Sequence, residues 1–290
     1  MTGAPVVVNP RAEQRRRLRR RFLRRPTAVA GLVGVLTVLS LAVLAPLIAP
    51  YAPEQGDFTS VLTGPSGAHL FGTDELGRDV LSRVLVGARA SLLAGIGATA
   101  LAMVVAIPIG LVAGYYRGLL DTCIMRATDV MLAFPFLILS VGLAAILGPS
   151  LNNAILALAV AAVPGFIRIT RAEVLGLREQ EYVQAAIVNG APDHVILSRH
   201  VLRNCTSPLV VQASIVIPTA IIGEAALSYL GLGVQPPTAS WGTMLATAQS
   251  YISQTPSLAL FPGTAIAITT LSFNLLGDGL RDVLDPKGQA

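Results

Sequence analysis

Residues 90–116 read ASLLAGIGATALAMVVAIPIGLVAGYY, with no charged side chain between Arg89 and Arg117. A helix needs about 20 apolar residues to cross a bilayer, so this run can span with residues to spare. Gly110 and Gly114 stand one helical turn apart, a spacing that lets helices approach closely in lipid. Other stretches repeat the pattern: Thr27–Ala49, Val130–Leu147, Leu151–Ile167, Pro208–Gly233 (interrupted only by Glu224) and Leu258–Leu276. Six spans use about 120 residues. The 290-residue chain is 53% hydrophobic and 13% charged, and its mean hydropathy is +0.67. Soluble domains carry about 25% charged residues. An all-α polytopic membrane protein with six transmembrane helices is therefore expected. An ordinary soluble enzyme, a disordered chain and a DNA-binding protein are excluded.

The net charge of +5 is unevenly placed. Residues 1–25 hold nine Arg and one Glu, whereas the remainder holds 12 basic and 15 acidic residues. The basic tail suits topology enforcement and contact with anionic headgroups, and no nucleic-acid partner is expected. The first apolar run is 23 residues long, too long for a cleaved signal peptide, and reads as a retained anchor. With the N-terminus in the cytoplasm, the inner segments carry 18 basic residues and the outer ones three: Arg78, Arg83 and Arg89. Positive residues favour the inner side, so both termini are expected to be cytoplasmic. The two cysteines, Cys123 and Cys205, fit neither a disulfide framework nor a metal motif.

The chain divides into an Arg-rich tail (1–26), a first span with an outer loop (27–87), a core (88–278) and a C-terminal tail (279–290). In the outer loop, Val80, Leu81, Val84, Leu85 and Ala88 have helical spacing after Asp79. They predict a short amphipathic interfacial helix leading into the second span. Trp241, in the outer segment 234–257, suits an interfacial anchor.

The motifs for an engine or a reactive centre are missing. A P-loop needs Gly-Lys-Ser/Thr, and the single lysine, Lys287, is followed by Gly288. No His-Glu-x-x-His occurs, and no metal site is expected. Gly64-Pro65-Ser66-Gly67 superficially resembles a serine-hydrolase motif, but no span supplies a histidine base. Within the apolar runs only Glu224 is ionisable. It reads either as a pore or gate element, together with Ser228, or as a carboxyl tied to a neighbouring helix. Alone it gives thin support to ion-driven transport.

The inner segment from Arg168 to Ser207 is too long for a turn. Residues 178–186 read as a helix, Gly190 as its stop, and Pro192-Asp193 as the start of another. Ala185 and Ala186 are small enough to let a partner surface come close. Glu181-Tyr182-Val183-Gln184-Ala185-Ala186, followed by Gly190-Ala191, resembles the "EAA" loop of binding-protein-dependent ABC importer permeases. Three other segments extend the resemblance to the peptide/nickel subgroup and its "C" permeases. They are Phe71–Arg83, Glu224–Gly233 with Pro236, Pro237 and Trp241-Gly242, and Asn274–Pro286. Two positions depart from the pattern: Gln184 replaces the Glu of the triplet, and Leu202-Arg203 replaces the closing Leu-Pro.

The resemblance implies a type I ABC importer permease fold and a non-catalytic subunit in the inner membrane of a prokaryote. Glu181, Tyr182, Val183, Gln184, Ala185, Ala186, Gly190, Ala191, Pro192 and Asp193 would couple to a cytoplasmic ABC ATPase, present as separate or fused subunits. That ATPase would bind ATP and Mg, and this chain would hold no cofactor. A homologous permease would complete the pore, and an extracytoplasmic peptide-binding protein would deliver solute, faced by the outer segment 234–257 with Trp241. The solute implied is a dipeptide or oligopeptide, with a nickel chelate or another small solute as the alternative. A stand-alone secondary transporter is the reading from another class, and an embedded hydrolase fails for want of a site.

Overall fold

The computed structural model describes residues 20–284, so most of the Arg-rich tail, Lys287 and the last residues of the C-terminal segment lie outside the described residues. Nine helices account for nearly all the regular structure among the described residues: α1 (Pro26–Ile48), α2 (Val80–Tyr116), α3 (Gly118–Leu132), α4 (Phe136–Leu147), α5 (Leu151–Arg178), α6 (Glu181–Val188), α7 (Asp193–Tyr229), α8 (Trp241–Tyr251) and α9 (Ser257–Leu284). Helices α1, α2, α5, α7 and α9 are each long and apolar enough to cross a membrane. The pair α3–α4 makes a sixth, bent span.

Three boundaries differ from the sequence expectation. The interfacial helix expected after Asp79 is not separate, because α2 runs unbroken for 37 residues. At 1.5 Å per residue that is about 55 Å, well beyond the hydrocarbon core. Asp79 caps its start by accepting the Ser82 N–H at 2.8 Å, leaving no break between the loop-side turns and the span. The third span is not straight. It folds by 88° between α3 and α4, where Pro135 lacks a backbone donor and disfavours helix at Phe134. The fourth helix does not stop at Arg168 but continues ten residues to Arg178. Its charges find partners on α3: Arg168 Nη2 donates to Asp129 at 2.7 Å, and Arg171 Nη2 to Asp121 at 2.6 Å.

Helix α5 is the centre of the packing. Ser150 caps its start through the Asn153 N–H. Its Ala154, Ala157, Leu158, Val163, Phe166 and Ile167 are buried against α2, α4 and α7. Helix α2 lies along it, and any side chain at Gly110 or Gly114 would collide with Thr170 or Val174. In lipid this close van der Waals packing, rather than exclusion of water, drives association. Helix α1 packs on α9 at the edge, with an exposed Arg25–Asp282 pair at 3.1 Å.

The segment before α2 is irregular but tightly tied. Asp74 holds Arg78 Nε at 2.7 Å and Arg83 Nε at 3.4 Å, all three side chains being buried. Arg83 also donates to the Pro53 carbonyl at 2.9 Å. Phe71 stacks on Phe261 of α9 with centroids 3.8 Å apart, which pins this segment across the bundle end.

Candidate functional site

The candidate site is the elbow between α5 and α7. Helix α5 ends at Arg178, Glu179 and Gln180 make the turn, and Gln180 precedes the eight residues of α6. Gly190 then takes φ +75°, a left-handed conformation that is cheap only for glycine. Its N–H donates to the Ile187 carbonyl and that of Ala191 to the Ala186 carbonyl, closing α6 as a Schellman-type cap does. The helix stop expected at Gly190 is where the chain reverses.

The helix expected to begin at Pro192-Asp193 does begin there, but it is not a separate short element. Asp193–Tyr229 is one helix with a π segment over Ile196–Val201. Leu202-Arg203, which stands where the family pattern has Leu-Pro, lies inside this continuous helix. The extra residue per turn of a π segment is a common feature of functional sites.

The elbow is fixed from three sides. Val183 is fully buried, in a cluster with Val174, Ile196, Val201 and Cys205. Asp193 accepts hydroxyls from Tyr115 at 2.8 Å and Tyr116 at 3.0 Å, both at the end of α2. Arg178 donates to the Tyr115 carbonyl at 2.8 Å and lies over its ring. Gln184 Nε2 donates to the Arg178 carbonyl at 2.7 Å. That carbonyl ends α5 without an intrahelical partner, and a carboxylate could not donate to it. The Gln that departs from the family triplet therefore has a local task.

What remains exposed is one face of α6. Glu181, Tyr182, Gln184 and Ala185 face outward, and Val188 is 85% exposed. Ala186 and Ala191 lie half-buried on the inner side. Asn204 donates to the Tyr182 hydroxyl at 3.0 Å, and burial, ahead of the nearby Cys205, pushes the Tyr182 phenol above its ordinary value. Pro192 and Asp193 are exposed too, although the Asp193 carboxylate is committed to the two tyrosines.

Two site expectations at the opposite end of α7 are corrected. Trp241 does not face a docked protein: its ring is 2% exposed and its indole N–H donates to the Val84 carbonyl at 3.0 Å. Glu224 does not line open space. It is fully buried, and its carboxyl accepts the Ser91 and Ser228 hydroxyls at 3.0 and 2.7 Å. The reading as a carboxyl tied to a neighbouring helix describes it, and Ser228 belongs to the same tie. Tyr115, Tyr116 and Arg178, which hold the elbow, were not singled out by motif. The tyrosine pair ending an uncharged run was the available signal.

A family model described as the binding-protein-dependent transport system inner membrane component matches residues 106–288. The chain belongs to this family. A second model, the N-terminal TM domain of oligopeptide transport permease C, matches residues 13–65. The permease is 42% identical over 282 residues to the dipeptide transport system permease protein DppC of Alkalihalophilus pseudofirmus, covering 97% of this chain and 91% of that one. It is 45% identical over 269 residues to the glutathione transport system permease protein GsiD of Pectobacterium atrosepticum, covering 92% and 89%. It is 44% identical over 262 residues to the probable D,D-dipeptide transport system permease protein DdpC of Escherichia coli, covering 90% and 88%. Among solved structures, an inward-facing MetNI methionine ABC transporter shares the fold. Its TM-score is 0.57 at 20% identity over 70% of this chain and 97% of that one. The protein is thus a multi-pass membrane permease subunit of an ABC-type importer.

Proposed function

We propose that this permease forms half of a translocation pore for short peptides and is driven from its elbow by a partner ATPase. The observation that carries the reading is α6 itself: a helix closed by Gly190, anchored through Val183 and Asp193, with an outward face ending in exposed Val188. An eight-residue helix with so few internal bonds is not stable alone. Fixed from behind and bare in front, it is suited to seat in a groove of another protein.

The chain sits in the cytoplasmic membrane of a prokaryote with both termini and the elbow inside, as the distribution of basic residues supports. ATP and Mg are bound by the partner ATPase subunits, separate or fused. Closure of their nucleotide sites moves α6. Because Asp193 and Arg178 bind both α2 and the helices flanking α6, the movement passes into α2, α5 and α7 as rigid-body rocking. A homologous permease lines the other half of the pore, and an extracytoplasmic binding protein presents solute at the far end. Short peptides are the solute class supported by the named relatives, glutathione being itself a tripeptide.

Reconstitution tests this. The permease pair, its ATPase and its binding protein in proteoliposomes should take up labelled di- and tripeptides only with ATP. Uptake that persists without the ATPase would make the protein a secondary transporter and overturn the proposal.

A further inference from the structure

The buried carboxyl of Glu224 has a second relationship, to the segment that follows α7. Ser91 of α2 and Ser228 of α7 each donate a hydroxyl to one of its oxygens. Each serine in turn accepts a backbone N–H from that segment: Val234 on Ser228 Oγ at 3.0 Å, and Trp241 on Ser91 Oγ at 3.2 Å. The donors therefore run inward from residues 234 and 241 to a single carboxyl. The Trp241 ring adds its bond to Val84, about two turns before Ser91 on α2. Ser240 and Thr243 close the capping box that starts α8. The two oxygens of one carboxyl can each accept a hydroxyl from a different helix, which is the arrangement here.

The same two long helices are joined at their other ends by Tyr115, Tyr116 and Asp193. Ser91 and Tyr115 are 24 residues apart on one unbroken helix, about 36 Å along its axis. Helices α2 and α7 are thus tied together at both ends, and packed between them where Gly95 meets Ile217 and Ile221.

We infer that Glu224 is a positioning residue that locks α8 and residues 230–240 onto α2 and α7, so that a binding protein seated on that segment is sensed at the elbow. The inference rests on the reading under Proposed function. It assigns to Glu224 neither pore lining nor contact with solute.

The test uses the complete transporter in nanodiscs and compares ATP hydrolysis with and without the solute-loaded binding protein. Glu224→Ala should leave basal hydrolysis unchanged and cut the binding-protein stimulation about tenfold, with uptake falling in parallel. Glu224→Gln keeps one acceptor oxygen and should recover a substantial part of the stimulation. Should Glu224→Ala fail to assemble, Ser91→Ala and Ser228→Ala each remove one donor and should show the same selective loss. Three results would overturn the inference: full stimulation in these variants, an equal loss of basal and stimulated rates, or no advantage of Gln over Ala. A wild-type complex that ignores its binding protein would overturn the Proposed function as well, whereas a stimulated wild type beside an equally stimulated Glu224→Ala overturns this inference alone.

Discussion

The hydroxyl of Tyr115 donates to Asp193 Oδ1 at 2.8 Å, which makes the elbow an extension of α2 as much as of α7. Val183 and Gln184 hold the short helix α6 to α5 and α7, and this bond adds the tie to α2. With it, a push on α6 must carry the 37-residue α2 along.

Asp193→Ala removes the acceptor of two tyrosine hydroxyls at one stroke. We expect the protein to insert and assemble, ATP hydrolysis to continue, and peptide uptake per ATP to fall severalfold. Measuring both rates on the same proteoliposomes checks this. An unchanged ratio would show that the tie is dispensable.

Gly190→Pro should be more severe. Proline fixes φ near −65°, whereas residue 190 sits at φ +75°. Its ring also removes the N–H that closes α6 on Ile187. Ala186→Arg would force a long cation against the half-buried side of the same helix. Both variants should remain in the membrane and lose uptake. Normal transport from either would count against the elbow.

Gln184→Glu tests the departure from the family triplet. The substitution takes away the amide that donates to the Arg178 carbonyl and cannot replace it. Amide hydrogen exchange across residues 180–190 should quicken, with the six spans unaffected. Equal exchange would mean that the 2.7 Å bond does not order the elbow.

Asp74→Ala should destabilise the far end. Its carboxylate is shared by two buried guanidinium groups, Arg78 and Arg83. Removing one partner of a buried pair typically costs about 3–5 kcal/mol. A clear drop in thermal unfolding temperature in detergent is expected, and Asp74→Asn should lose less. A stability equal to wild type would show that the arginines find other partners.

The spans were legible because uncharged runs of sufficient length have one solution in lipid, a helix that satisfies its own backbone. The elbow was legible from local chemistry: Gly190 as a stop and Pro192-Asp193 as a start. The misplaced boundaries have a common origin. Arg168 and Arg171 look like the end of a span until Asp129 and Asp121, 39 and 50 residues earlier, are brought alongside. Trp241 looks like a surface anchor until Val84, 157 residues away, accepts its indole N–H. Glu224 was conspicuous as the lone ionisable group in an apolar run, but its role depends on Ser91, 133 residues distant. The bend at Pro135 could have been read from the Phe134-Pro135 dipeptide, and the apolar character of Val130–Leu147 concealed it.

The most direct test of the elbow is a cross-link from Val188, the most exposed apolar side chain of α6 at 85%. With the exposed Cys123 first replaced by serine, Val188→Cys is treated with a short thiol-to-amine reagent in the assembled complex. The account predicts one dominant product, with the ATPase subunit, whose yield changes when ATP is bound. A product with the binding protein instead, or no product in a complex that still transports, would contradict it.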